Sequence, residues 1–507
     1  MTTPSHTVQP PQNARVVLLD SLNRHMLGAY GGAEFATPNL DRFAQRALRF
    51  ERHYAGSLPC MPARHDILCG ALDFLWKPWG SVELWEEPIT VPLRRAGVTT
   101  KLITDHPHLF EVGGENYHCD FSAWDYQRGH ESDLWKTRPD PSWLGAPSFQ
   151  RGWTPYDNSR GYFRDEADFP GPRTMAAAAR WIDADSRFHD RFLLFIDEFD
   201  PHEPFDTPEP YASRYDPAWE GPHLIWPPYM RGALAHGVLT PRQAQQVRAC
   251  YGAKLTMIDS WFGRVVEAID RQQLWDTTAV IVCTDHGHYL GEKDIWGKPG
   301  VPVFEPLGHI PLLIAWPGVT PCSVSALTTS VDIHATLRDM FRVQAAHRTH
   351  GQSLLPLISG ADASIRDYVL SGVWGREVHL IDGISKYVRA PVGANAPLSM
   401  WSNRWSTMPV HSMPELQLPR PDARAYLDRM PGSTVPVIRQ PFADGDLLPF
   451  WAFGSFTGNH LYNLHDDSAE ERNLAGAAVE RDAADQLRAA LKEIEAPDDQ
   501  FVRLGLA

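Results

Sequence analysis

Cys60-Met61-Pro62-Ala63-Arg64, set within Ser57-Leu58-Pro59-Cys60-Met61-Pro62-Ala63-Arg64-His65, places a sulfur nucleophile and a permanent cation four residues apart. Pro59 and Pro62 restrict the backbone on both sides of Cys60 and keep it out of a helix interior. Arg64 to Cys69 contains no breaker before Gly70 and can open a helix. A side chain near a helix N-terminus feels the positive end of the dipole, which favours an anion there. Arg64 adds a charge that cannot titrate away. The pairing suits an oxyanion pocket; the competing reading of Cys60 is a small buried hydrophobe.

Other chemistry-bearing residues close strand-like runs. Arg15-Val16-Val17-Leu18-Leu19-Asp20 and Ala279-Val280-Ile281-Val282-Cys283-Thr284-Asp285 are apolar stretches that each end in a carboxylate. His286 follows the second, with Lys293 and Lys298 further on. Asp200-Pro201-His202-Glu203-Pro204-Phe205 follows a third apolar run, Arg191–Asp197. His202 has the unperturbed pKa of a general acid near neutrality. Thr104-Asp105-His106-Pro107-His108-Leu109 follows a fourth run.

These blocks, in this order, resemble the type I sulfatase family of the alkaline phosphatase superfamily, which includes phosphonate monoester hydrolase relatives. Cys60-x-Pro62-x-Arg64 is similar to that family's signature. The Thr284-Asp285-His286-Gly287 block, Leu290-Gly291-Glu292 and Trp296-x-Lys298 are similar to a second block. Leu19-Asp20-Ser21-Leu22 with Thr37-Pro38-Asn39-Leu40-Asp41 resembles the first strand and its helix, and Leu461-Tyr462-Asn463-Leu464 with Glu471-Arg472-Asn473-Leu474-Ala475 the last domain. The resemblance implies hydrolysis of sulfate monoesters by a formylglycine hydrate made from Cys60. Phosphonate monoester or phosphodiester hydrolysis on the same site is the alternative. It also implies one divalent cation on Asp20, Asp285, His286 and residue 60. Many relatives carry a second Asp where this chain has Ser21, and often Asn where it has His286. That donor set moves the preference from Ca²⁺ towards Mn²⁺. Lys298 is implied as a substrate contact, ahead of Lys293. His202 is implied as the acid for the leaving group. The family's Lys-x-His pair falls on His106 and His108 after a one-residue shift; strict alignment would use Asp105 and Pro107. The implied partners are a small anionic ester and a formylglycine-generating enzyme.

The elements that must position these residues follow from pattern. A chain of 507 residues, 43% hydrophobic and 21% charged, has the composition of a globular enzyme. Its net charge of −15 argues against nucleic acid, so an anionic substrate needs a local positive site. Six cysteines without paired spacing read as reduced, mostly core residues. No signal peptide or membrane-spanning run is evident, which points to a cytoplasmic protein. Strands at 15–20, 98–105, 191–197, 279–285 and 311–316 alternate with helices starting near 37, over 174–186 and over 241–273. This is an α/β pattern: a large, mixed, mostly parallel sheet sandwiched by helices. Sites in such sheets form beyond the carboxyl ends of the strands, where Asp20 and Asp285 would meet. Expected domains are a polar tail (1–14), a catalytic α/β domain (15–360) and a smaller C-terminal α+β subdomain (361–507). The last should hold a strand pair, 367–370 with 386–389, a helix over 482–495 and a long irregular Pro- and Trp-rich segment, 391–450, suited to substrate or homo-oligomer contacts.

Overall fold

The computed structural model describes residues 10–138, 154–408, 420–452, 454, 456–476 and 479–507. Residues 1–9 of the expected tail and 409–419 of the expected irregular segment lie outside them.

An eight-stranded sheet forms the centre. Its spatial order is Ser323–Thr329, Leu48–Tyr54, Leu312–Ala315, Thr278–Cys283, Asn13–Leu19, Phe192–Glu198, Thr99–Thr104 and Ala123–Tyr126. Only Leu312–Ala315 runs against its neighbours. The remaining pairings are parallel.

Period-2 alternation divides each central strand between two cores. Val17, Leu19, Leu194, Ile196, Val280 and Val282 pack into one, with the helices Pro170–Ala184 and Pro241–Arg271. Val16, Leu18, Leu193, Phe195, Ile281 and Cys283 face the other, with the helices Cys60–Cys69 and Val331–Phe341. Both faces are therefore dry, which is why these strands read as continuous apolar runs. The long helix Pro241–Arg271 starts on a Thr240–Gln243 capping box with Pro at its first position.

The C-terminal part is a second layer. Its five-stranded sheet runs His460–Asn463, Ser385–Arg389, Val378–Ile381, Val369–Val373 and Ser57–Leu58. The edge strand comes from the segment just before Cys60, with Gly372 opposite Ser57 and Val373 opposite Leu58. Helix Val479–Glu493 covers this layer with Leu487, Ala490 and Leu491.

Three expectations need correction. The anticipated pairing of 367–370 with 386–389 does not form: Val378–Ile381 lies between Val369–Val373 and Ser385–Arg389 and pairs with both. The strand interposed at 378–381 supplies the hydrogen bonds that a direct pair would have made. Segment 391–450 is not wholly irregular, because Leu398–Ser402, Pro436–Phe442 and Tyr426–Arg429 form an antiparallel sheet. The first strand begins at Asn13, inside the expected tail.

The Cys60–Cys69 helix begins at Cys60, one turn earlier than the unbroken run from Arg64 suggests. Pro62 fits because a proline in the first turn forfeits no helical hydrogen bond. The helix stops at Gly70, whose φ of 76° is left-handed and where a Cβ would fall 2.3 Å from His334 Nδ1. Buried Asp66 ties the helix to its preceding strand: Oδ2 accepts the Ser57 N–H at 2.6 Å and Oδ1 the Ser57 hydroxyl at 2.7 Å. Among the described residues no helix is long and apolar enough to cross a membrane. Asp66→Ala should orphan these buried donors and destabilise the protein by about 1–3 kcal/mol, read as a lowered midpoint in chemical denaturation.

Candidate active site

Asp20 directly follows strand Asn13–Leu19, Asp197 is the penultimate residue of Phe192–Glu198, and Asp285 lies two residues beyond Thr278–Cys283. These strands are neighbours in the sheet, so three carboxylates emerge side by side at its carboxyl edge. Ser21 adopts a left-handed φ of 60° and turns its N–H onto Asp285 Oδ1 at 3.1 Å.

Arg64, fully buried, reaches all three from the first turns of its helix. Its Nη2 lies 2.7 Å from Asp197 Oδ1 and 2.9 Å from Asp20 Oδ2, and its Nη1 donates to Asp285 Oδ2 at 2.8 Å. Its Nε donates to Asp197 Oδ2 at 2.9 Å. Arg64 was expected to face an oxyanion, yet most of its donors are spent on carboxylates. Asp197 was missed as a site residue, although it closes the third apolar run just as Asp20 and Asp285 close theirs.

Asp20, Asp285, His286 and Cys60 offer ligand atoms that all lie within 4.8 Å of one another. His286 Nδ1 donates to Gly287 O at 2.8 Å, so its Nε2 keeps a lone pair directed at Cys60 Sγ, 3.2 Å away. Burial lowers the His286 pKa to about 4, keeping the ring neutral. Buried Asp20 Oδ2 accepts no aligned hydrogen bond, despite Arg64 alongside. Burial and the adjacent Asp285 push Asp20 well above the carboxylate range. Both effects are those of a carboxylate pair short of positive charge. A neutral imidazole, two carboxylates and residue 60 therefore fit a divalent cation. Burial, Asp20 and Asp285 also push the Cys60 thiol well above its ordinary pKa, against the pull of Lys298 and Arg64.

Lys298 is buried beside the same group. Its Nζ lies 3.4 Å from Ser21 Oγ and 2.6 Å from His202 Nε2. Burial opposes its charge, but Cys60, Tyr229, Glu203 and Asp20 hold its pKa well above normal. His202 Nδ1 donates to Glu203 O at 2.8 Å, so Nε2 accepts from Lys298. Burial and Lys298 drive its pKa well down. Lys293 is elsewhere: its ammonium donates to Glu470 O at 2.7 Å.

His106 and His108 separate in role. His106 Nε2 is 3.6 Å from Asp20 Oδ2, and burial keeps the ring neutral. His108 is one layer back, with Nδ1 3.0 Å from Glu111 and Nε2 3.1 Å from Glu131. Burial opposes its charge, but hydrogen bonds to these glutamates prevail and raise its pKa to about 9. Asp105 Oδ1 accepts from Phe199 N at 2.8 Å. The Phe199 ring stacks on His202 at 4.2 Å and meets His106 and His130 edge-on at 4.5 and 4.6 Å. Phe199 carried no signal in the sequence beyond lying near His202, and Glu131 carried none.

The sulfatase family model matches residues 12–343. The chain belongs to the sulfatase family. It shares 27% identity over 412 residues with the choline-sulfatase of Rhizobium meliloti, covering 74% of this chain and 78% of that protein. It shares 26% over 398 residues with the multifunctional alkaline phosphatase superfamily protein PehA of Trinickia caryophylli, covering 66% and 74%. The phosphonate monoester hydrolase of Agrobacterium radiobacter superposes with a TM-score of 0.64 over 96% of this sulfatase-family chain and 95% of that one, at 18% identity. Family membership makes the protein a hydrolase of the sulfuric ester class, with phosphonate monoester hydrolases among its structural neighbours.

The raised His108 pKa carries a sign. Its folded value of about 9 exceeds the unfolded value of about 6.5. Its contribution, up to about 3 kcal/mol, is thus complete below pH about 6.5 and lost as pH rises through about 9. Stability should fall across that window, and denaturation curves of His108→Gln should show a smaller fall.

Proposed function

We propose that this enzyme hydrolyses sulfate monoesters with a formylglycine derived from Cys60 and one divalent cation, Ca²⁺ or Mn²⁺. The observation that carries the reading is the convergence of Asp20, Asp285 and His286 on residue 60 at the head of a helix. Asp20, Asp285, His286 and an oxygen on residue 60 would hold the cation. When bound, it would acidify a hydroxyl on residue 60 and neutralise an ester oxygen.

The raised pKa of Cys60 argues against the thiol itself as the attacking group, because a neutral buried thiol is a poor nucleophile. A formylglycine-generating enzyme is then the maturation partner. A hydrated aldehyde at position 60 attacks with one hydroxyl and expels the product by means of the other, a release route closed to thiol and serine. Arg64 is a positioning residue that keeps the three aspartates converged. Lys298 binds an ester oxygen and stabilises the charge that develops on it. His202 relays to the leaving group a proton taken at Nε2 from Lys298, which is left neutral until solvent recharges it, since the His202 ring is otherwise neutral. His106 stands beside Asp20 as a substrate contact, with His108 behind it.

Similarity to a choline-sulfatase supports a sulfate ester. Ser21 in place of a second Asp, and the full-length likeness to phosphonate monoester hydrolases, favour a second reading: phosphonate monoesters or phosphodiesters on the same site. Parallel kinetics on an aryl sulfate, a phosphodiester and a phosphonate monoester decide. The sulfate should have the highest kcat/KM; a value several decades below the others overturns the assignment. Peptide mass analysis should find the Cys60 peptide lightened by conversion, Cys60→Ala should be inactive, and chelation should remove activity that Mn²⁺ or Ca²⁺ restores. His202→Ala should cost about 10²–10⁴-fold on substrates with poor leaving groups and far less on nitrophenyl esters. Equal losses on both would remove His202 from the acid role.

A further inference from the structure

The helix that begins at Cys60 carries a second cluster on its C-terminal half, about 8 to 13 Å from Cys60 along the axis. His65 and Cys69 lie one turn apart on one face of that helix. With Glu86 from the following loop they offer three ligand atoms within 4.8 Å of one another, all on buried residues. Asp73 lies outside that mutual spacing but adds a second carboxylate beside His65. His65 Nε2 lies 3.0 Å from Glu86 Oε1 and 3.4 Å from Asp73 Oδ2. These contacts are close but poorly aligned: neither ring nitrogen of His65, nor Asp73 Oδ2, makes a hydrogen bond of acceptable geometry.

Convergence without hydrogen-bond alignment is the arrangement of ligands around an ion. Tetrahedral bonds of about 2.0–2.1 Å place nitrogen and oxygen ligands about 3.3 Å apart, close to the spacings here. We propose that His65, Cys69 and Glu86, with neighbouring Asp73 drawn in as the fourth ligand, form a second divalent-cation site, of the zinc type, that clamps the loop through Glu86 to the nucleophile helix. One imidazole, one thiolate and two carboxylates suit Zn²⁺ over Ca²⁺ or Mg²⁺, which take oxygen donors.

Charge is conserved on binding. Without the ion, imidazolium and ammonium balance the two carboxylates, and Cys69 is a thiol. With it, the imidazolium and thiol protons leave, and the dication balances the new thiolate and the lost positive charge. Lys77 need not move. Its Nζ holds Glu86 Oε1 at 2.8 Å and Oε2 at 3.0 Å, and it would remain on Oε2 as an outer partner. A cavity of about 180 Å³, bordered by Asp73, Trp85, Glu86, His347 and Arg348, gives an entry path. The rival arrangement is a metal-free ion-pair cluster of the same residues.

Cobalt(II) titration of the chelator-stripped Cys60→Ala protein separates these, because residue 60 then supplies no sulfur and the active site can give no thiolate signal. Expected is a near-ultraviolet thiolate-to-cobalt charge-transfer band that saturates at a single equivalent and is lost in Cys60→Ala/Cys69→Ser. Zn²⁺ should displace the cobalt and raise the melting temperature of the first variant. No band, or an equal band in both variants, overturns the site. If Cys69→Ser does not fold, anomalous diffraction at the zinc edge from Zn²⁺-soaked crystals of the Cys60→Ala protein decides. A peak among His65, Cys69 and Glu86 supports the proposal, and its absence there refutes it.

Discussion

The buried guanidinium of Arg64 is the constraint on which the site depends. It meets Asp20, Asp197 and Asp285, which arrive on three adjacent strands and would repel one another without it. Desolvating so many charges is costly and is offset only when each is paired. A planar fork with five donors can serve three carboxylates at once; a lysine ammonium could not hold the same geometry. Arg64 is also on the helix that bears residue 60, so one side chain sets the distance between residue 60 and the carboxylates.

That helix is in turn held from both sides. The eight-stranded sheet packs beneath it through Val16, Leu18, Phe195 and Ile281. Ahead of it, Ser57–Leu58 is stitched into the C-terminal sheet beside Val369–Val373. The last third of the chain thereby helps to place a residue encoded near its start. The C-terminal layer is part of the architecture that positions residue 60 and not an appendage to it.

Around the carboxylates stands a layer of histidines whose protonation differs by neighbour alone. His286 and His202 each spend Nδ1 on a backbone carbonyl and stay neutral. His108 is charged between Glu111 and Glu131. His106, two residues away, is neutral against Phe199. One residue type thus supplies neutral rings with a free lone pair and a charged ring within one pocket.

Much of this was written in the sequence. Apolar runs ending in Asp20, Asp197 and Asp285, and a cysteine ahead of Arg64, are local patterns. Local sterics and period-2 burial turn them into strand ends and a helix start wherever they occur. What local pattern could not convey was which groups meet. Spacing does not say that Arg64 would be consumed by Asp197, that His108 would lie behind His106, or that Lys298 and not Lys293 would reach His202. Nor did it reveal the strand at 378–381 that separates the two segments expected to pair, or the sheet inside 391–450. Those outcomes rest on contacts between segments tens to hundreds of residues apart. Only the packed sheet and its two helical layers bring such segments within hydrogen-bond reach, and only burial then decides which of the assembled groups keep their charge.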